Sequence, residues 1–245
     1  MKLIGNTVLI TGGSTGIGFE IARQLVNLNN KVIICSRSIE KLEAAKRMIP
    51  SLHIFKCDIS DKSECEKLFN WINNSFSECN ILINNAAIVH KTNFQSDEQI
   101  ISKAELEMQT NYFGPLRLTK LFLPFFEKKE NASIIYITTG LVYAPKAVYP
   151  VYCSTKAALH SFIQTLRLQL KSANIKITEV LMPAVNTLFH DGNPPRIAIS
   201  ASKAVQEMIA GLIKDKMEIK VAGTKIIYLL SRVAPSFAFK KINEL

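Results

Sequence analysis

Thr7-Val8-Leu9-Ile10-Thr11-Gly12-Gly13-Ser14-Thr15-Gly16-Ile17-Gly18 decides the fold. Thr7 to Ile10 is a short apolar, β-rich run without polar alternation, the pattern of a strand buried on both faces. The glycines end it in a tight turn, and Ile17 to Leu28 then repeats apolar positions at helical spacing. Gly12, Gly16 and Gly18 stand in the order GxxxGxG. Glycine lets backbone approach a pyrophosphate, and a helix N-terminus offers free N–H groups with partial positive charge. Strand, turn and helix in this order predict a nucleotide-binding turn, with Gly12, Ser14, Thr15, Gly16, Ile17 and Gly18 as contacts. No Lys-Ser/Thr follows the glycines, which disfavours a P-loop and hydrolysis of ATP or GTP.

The pattern continues outward. Strands are expected at Lys31 to Cys35, His53 to Cys57, Ile81 to Ile83, Ser133 to Ile137, Lys176 to Leu181 and Glu218 to Val221. Helices are expected at Glu40 to Met48, Lys62 to Phe76, Glu98 to Lys128, Val151 to Ala173 and Ser202 to Lys214, with Pro115 and Pro124 as breaks or kinks in the third. Short apolar strands alternating with helices predict an α/β fold: one doubly wound Rossmann domain over 1–245, its parallel sheet of about seven strands flanked by helices. Residues 188–215 follow the sixth strand and form the expected substrate-loop region, with 188–200, which carries Gly192, Pro194 and Pro195, as a candidate lid.

With 245 residues, 48% of them hydrophobic, the chain can bury a large core. Its net charge of +10 admits anionic partners, but the lysines are dispersed and form no compact basic block with interleaved aromatics, so no nucleic-acid partner is expected. Five cysteines without a CxxC point to reduced thiols and a cytoplasmic setting. The four histidines are scattered, so no metal site is expected. The first apolar run is too short for a secretory leader, and no run is long enough to span a membrane.

Two further features carry chemistry. Tyr152 and Lys156 in Tyr152-Cys153-Ser154-Thr155-Lys156 share one face if the segment is helical. A nearby ammonium lowers a phenol's pKa, and a desolvated cleft with a second positive charge is expected to complete the shift toward neutral pH. The second strand ends Ile34-Cys35-Ser36-Arg37-Ser38. No carboxylate stands there to bond a ribose 2′-OH, and Arg37 beside Ser36 suits a 2′-phosphate, so NADP is preferred over NAD.

Together these stretches resemble the short-chain dehydrogenase/reductase family along nearly the whole chain. TGGSTGIG at 11–18 is similar to its cofactor fingerprint, and Tyr152 and Lys156 match its YxxxK pair. Asp58 and Ile59 stand where the family holds adenine, and Asn84-Asn85-Ala86-Ala87 resembles NNAG with Ala87 replacing glycine. Pro183-Ala184-Val185-Asn186-Thr187 resembles PGxxxT, the segment that closes over the nicotinamide, with Ala184 replacing glycine. The resemblance implies an oxidoreductase interconverting an alcohol and a carbonyl on a small molecule. Tyr152 would be its general acid/base and Lys156 the residue that tunes the phenol and bonds the nicotinamide ribose, while Asn111 would hold a relay water. It also implies cofactor contacts from Asn85, Ala86, Ala87, Pro183, Val185 and Thr187. The family's substrate-orienting serine lies 13 residues before the tyrosine; 152 − 13 = 139, and Thr139 stands there, keeping the hydroxyl with an added methyl. The long helices 98–128 and 151–173 resemble those that pair subunits, implying a homodimer or homotetramer.

The segment 218–245 interleaves basic residues with Ile226-Ile227-Tyr228-Leu229-Leu230 and Phe237-Ala238-Phe239, and resembles the tail of the DltE-type subgroup. Such a basic apolar segment suits peripheral contact with an anionic membrane or a partner subunit. A catalytically silent NADP-binding sensor or a membrane-peripheral binding protein is the alternative to an enzyme. An intact Asn111, Tyr152 and Lys156 argues against a sensor. The polarity of the lid leaves the substrate open.

Overall fold

Branched and aliphatic residues fill the strands, and their near-continuous burial places helices on both faces. The protein is described by a computed structural model that covers residues 1–187 and 195–244. In chain order the strands are β1 Thr7–Thr11, β2 Lys31–Ser36, β3 His53–Lys56, β4 Cys79–Asn84, β5 Ala132–Thr139, β6 Ile175–Met182, β7 Val185–Asn186, β8 Ile199–Ser200 and β9 Glu218–Lys220. The helices are α1 Gly16–Asn27, α2 Ile39–Met48, α3 Lys62–Ser75, α4 Ile100–Met108, α5 Gly114–Phe126, α6 Pro150–Gln169, α7 Ala201–Ile213, α8 Thr224–Val233 and α9 Pro235–Glu244.

Seven strands form one sheet in the order β3-β2-β1-β4-β5-β6-β9, and every neighbouring pair is parallel. The order reverses between β1 and β4, which is where a crevice opens outside the carboxyl ends of such a sheet. One core layer packs Val8, Ile10, Ile34 and Ile135 against Ile21, Leu25, Val205 and Met208. The other packs Leu9, Ile33, Leu82 and Ile134 against Leu68, Phe122, Leu159 and Ile163.

The turn after β1 needs its glycines. Gly12 has φ +65, and a Cβ there would lie 2.8 Å from the Ala86 Cα. A Cβ on Gly18 would meet the Gly12 carbonyl oxygen at 2.2 Å, so α1 lies against the turn at a distance only glycine allows.

The expected helix over Glu98 to Lys128 is two helices joined by one turn of π-helix, Gln109–Phe113. The break therefore precedes Pro115, which lies in the first turn of α5, while Pro124 lies inside α5 near its end, where the loss of one N–H does not stop the helix. The expected helix over Val151 to Ala173 ends at Gln169, and the Ala173 N–H turns back to the Leu170 carbonyl at 2.9 Å. The tail, expected only as basic and apolar, is α8 and α9. The 188–194 part of the expected lid lies outside the described residues. Among the described residues no helix is long and apolar enough to cross a membrane.

Candidate active site

The loops at the carboxyl ends of β1, β2, β3, β4, β5, β6 and β9 line one cavity of about 1080 Å³. Strand order sets its layout. Ser36, Arg37 and Lys41 follow β2 and Asp58 and Ile59 follow β3 at one end; Gly12 to Gly18 follow β1, and Asn85, Ala86 and Ala87 follow β4, in the middle. Thr139 closes β5 and Pro183, Val185 and Thr187 follow β6, with Tyr152 and Lys156 of α6 facing the same space. Every residue expected at the site from the sequence lines this cavity except Asn111.

Asn111 is fully buried in the π-turn behind the cavity. Its Oδ1 accepts from the Ile88 N–H at 2.8 Å, and its Nδ2 donates to the Ile88 carbonyl at 2.8 Å and to Thr155 Oγ1 at 3.2 Å. The side-chain amide therefore pins the segment after β4 to α6.

α6 opens on Pro150, whose fixed φ suits a first helical position, and presents Tyr152, Lys156, Leu159, Ile163 and Leu166 to the interior. Lys156 is buried, and its Nζ donates to the Ile137 carbonyl at 3.0 Å. Burial pulls this amine down to about 8, opposed by the Glu179 carboxylate. Glu179 is itself buried, accepts from Thr138 Oγ1 at 2.6 Å, and pairs with His160 Nδ1 at 2.9 Å.

The phenol behaves otherwise than expected. Burial pushes Tyr152 above its ordinary value, and the Cys153 thiol and the Glu107 carboxylate push the same way. Desolvation always disfavours the charged form, so the cleft works against a phenolate rather than for it. Lys156 Nζ lies 5.9 Å from the Tyr152 ring centre and points to a carbonyl.

The turn's local structure suits a phosphate. Thr15 caps α1 without a side-chain hydrogen bond and no acidic residue occupies the first turn, so its first N–H groups are left to a ligand. Asp58, by contrast, is engaged: its Oδ1 accepts from the Ser60 N–H at 2.9 Å and the Ser60 hydroxyl at 2.7 Å. It is the one carboxylate that lines the cavity among the described residues.

Several lining residues escaped the sequence. His90 faces the cavity and is held by Glu107, whose Oε1 accepts from the His90 N–H at 2.7 Å and lies 2.8 Å from Nδ1. Burial raises that carboxyl. A lone histidine and a glutamate 17 residues apart carry no spacing signal. Ile226, Ile227 and Leu230 of α8 and Phe237, Ala238, Lys241 and Ile242 of α9 also line the cavity. Their signal was present, because the apolar residues of 226–230 recur at i and i+4.

Lys156 generates a stability prediction. Its folded value lies below the ordinary lysine value of 10.5, so between about pH 8 and pH 10.5 the unfolded chain holds a proton that the fold sheds. Stability contributed by this group is thus lowest below pH 8 and rises with pH across that window. Lys156→Met removes the buried charge, worth about 3 kcal/mol, and loses one hydrogen bond, worth about 1 kcal/mol. Urea unfolding of the cofactor-free protein at pH 7 is expected to show a gain of about 2 kcal/mol that disappears above about pH 10. A variant less stable than the parent at pH 7 contradicts this account.

Comparison with known proteins agrees with this architecture. Residues 6–197 match the family model for short chain dehydrogenase. An uncharacterized oxidoreductase, DltE, from Bacillus subtilis is 41% identical over 224 residues, covering 89% of each chain. A fatty acyl-CoA reductase from Acinetobacter baylyi is 34% identical over 187 residues, 75% of this chain and 63% of that one. Among solved structures, a short chain dehydrogenase from Burkholderia cenocepacia in complex with NADP superposes with a TM-score of 0.87 over 99% of both chains at 20% identity. One from Burkholderia phymatum in complex with NAD gives 0.85 over 99% of this chain and 97% of that one, at 15% identity. These two likenesses concern the fold. The match across residues 6–197, with the Bacillus relative, shows that this chain belongs to the short-chain dehydrogenase/reductase family of oxidoreductase enzymes.

Proposed function

We propose that the chain is an NADP-dependent oxidoreductase that interconverts an alcohol and a carbonyl, with Tyr152 as general acid/base. The observation that carries this reading is one cavity lined at once by the glycine turn, Thr139, Tyr152 and Lys156. We take residues 1–245 to act as one nucleotide-binding domain.

When bound, the cofactor supplies hydride to the carbonyl carbon. The chain supplies position and proton. Thr139 Oγ1 accepts from the Leu141 N–H at 3.3 Å, which leaves its proton to donate to a substrate oxygen. Tyr152 gives its phenolic proton to that oxygen in reduction and takes one back in oxidation. Reduction starts from the neutral phenol that burial favours, whereas oxidation needs the phenolate that burial opposes. The lean toward reduction comes from the NADP preference read at Ser36 and Arg37. Lys156 answers the phenolate formed in that step. A relay water near Asn111 would link Lys156 to solvent, while the Asn111 amide itself is engaged with Ile88 and Thr155.

Backbone N–H groups at Ser14 to Gly18 would hold the pyrophosphate, and Arg37 with Lys41 the 2′-phosphate. Both basic residues line the end of the cavity next to β2, and Asp58, the one carboxylate there among the described residues, is engaged by Ser60. Exposed Ile101, Leu106 and Phe113 on the α4–α5 unit and Leu168 on α6 support a dimer or tetramer, which light scattering reads directly. On α8, Leu229 and Val233 are 61% and 76% exposed one turn apart, with Lys225 and Arg232 beside them, which supports peripheral contact with an anionic membrane.

NADPH consumption across ketones and aldehydes tests the reaction. Tyr152→Phe is expected to lose roughly 10²- to 10⁴-fold in kcat while still binding NADPH. Retained turnover removes the assigned role, and NADPH binding with no turnover by the parent favours a sensor. In the same assay Arg37→Ala is expected to raise the NADPH KM roughly ten- to a hundredfold and leave the NADH value in place; equal effects on both cofactors sink the 2′-phosphate assignment. Co-sedimentation with phosphatidylglycerol vesicles, lost in Leu229→Glu/Val233→Glu, checks the membrane contact. A parent chain that stays in the supernatant rules it out.

A further inference from the structure

The glycine turn, Arg37 and Asp58 lie toward the β3-β2-β1 side of the sheet, whereas α8 and α9 follow β9 at the opposite edge. The part of the cavity they wall is therefore separate from the part lined by the nucleotide-binding turn and continuous with Thr139 and Tyr152. Its position is held from several directions. Thr224 at the start of α8 packs against Gly140, where a Cβ would meet the Thr224 side chain at 3.1 Å. Asn243 of α9 accepts from the Ala147 N–H at 2.6 Å and donates to the Pro145 carbonyl at 3.1 Å. Ala144, Ala238 and Ile242 form a small core with Leu141, Ile227 and Leu230. The chain from Thr139 to Tyr152 and the two terminal helices thus form one packed unit.

The walls of this compartment are mainly apolar, with Lys146, Tyr149 and Lys241 as polar residues among them. Leu141, Ile226, Ile227, Leu230, Phe237 and Ile242 line it, with Val89 and Ile197 also facing the cavity. No aspartate or glutamate on this side lines the cavity among the described residues, and the apolar side chains outnumber the polar ones, which suits an apolar body better than the hydroxyls of a sugar or polyol. Ile226 and Phe237 are 63% and 50% exposed although they line the cavity. Large apolar side chains left open at the rim of a ligand cavity mark surface that a ligand covers.

We infer that α8 and α9 form a substrate subsite for the non-reacting body of an apolar alcohol or carbonyl compound, one whose flexible chain runs from Thr139 and Tyr152 between the two terminal helices. The inference rests on the carbonyl–alcohol reading above and deepens it. Each methylene moved from water into such a subsite contributes a roughly three- to fourfold gain in kcat/KM, until the compartment is full.

The test uses the full chain with NADPH and the straight-chain aldehydes from butanal to decanal. kcat/KM is expected to rise at least a hundredfold across the series. Ile226→Asn and Phe237→Asn, at positions half or more exposed and so compatible with folding, are each expected to cut the decanal-to-butanal ratio at least tenfold. A second readout needs no turnover: 1-decanol is expected to raise Tm of the cofactor-free protein well above the effect of 1-butanol at equal concentration, and Ile226→Asn to abolish the difference. Turnover with a flat chain-length series overturns the subsite and leaves the oxidoreductase standing. If no aldehyde is reduced, decanol stabilisation that depends on Ile226 keeps the subsite and sinks the reaction; no such stabilisation overturns the subsite.

Discussion

A lysine ammonium taken out of water and donated to one backbone carbonyl is the constraint on which the site is built. Lys156 is 3% exposed, and its Nζ bonds the Ile137 carbonyl at 3.0 Å. An ion so placed needs a compensating charge, and Glu179 beneath it is the carboxylate that favours its charged form. Glu179 in turn is held by Thr138 and His160, one from β5 and one from α6. The lysine, the strand that carries Thr139 and the helix that carries Tyr152 are therefore one electrostatic unit. Moving any of them strands a buried charge, which ties the elements around Tyr152 together.

That arrangement also orders the energetics of the proton step. Two buried groups of opposite charging sense face one cavity: burial raises the phenol and lowers the amine. Burial opposes the charged form of each, yet at about 8 the amine still holds its proton at neutral pH while the phenol stays neutral. In the proposed step a proton passed from the phenol leaves a negative oxygen near this ammonium, so the new charge forms beside an opposite one rather than singly. An isolated buried charge is far costlier than a paired one, and this is the physical content of putting tyrosine and lysine four residues apart.

Much of this was legible because it depends on local pattern. β1, its turn and α1 follow from an apolar run, three glycines and a helical repeat, and the sheet follows from alternation. Tyr152 and Lys156 share a face by helical period alone. What escaped were effects of tertiary contact. The π-turn at Gln109–Phe113 has no composition signal; it places Asn111 where its amide meets both polar groups of Ile88. The surroundings of Tyr152 without cofactor were not legible, because helix spacing fixes which face a lysine shares, not where its amine points. Here it points to Ile137. His90 with Glu107 and His160 with Glu179 are pairs made by the fold between distant positions.

The terminal helices carry the same lesson to specificity. In this fold the cofactor half of the cavity is made by strands that must pair to exist, so its residues are tied to stability. The other half is walled by α8 and α9, which pack on each other and on the 140–147 segment and contribute little to the two main core layers. Side chains there can change without disturbing the sheet, while Asn243 and Thr224 keep the helices in register with Thr139 and Tyr152. A wall that is anchored to the reacting groups yet marginal to the core is free to be shaped by what it binds. Ile226 and Phe237, apolar and open to water, carry a solvation cost that folding alone does not recover. At the inferred subsite a bound apolar substrate would recover it, and the cost would then belong to recognition.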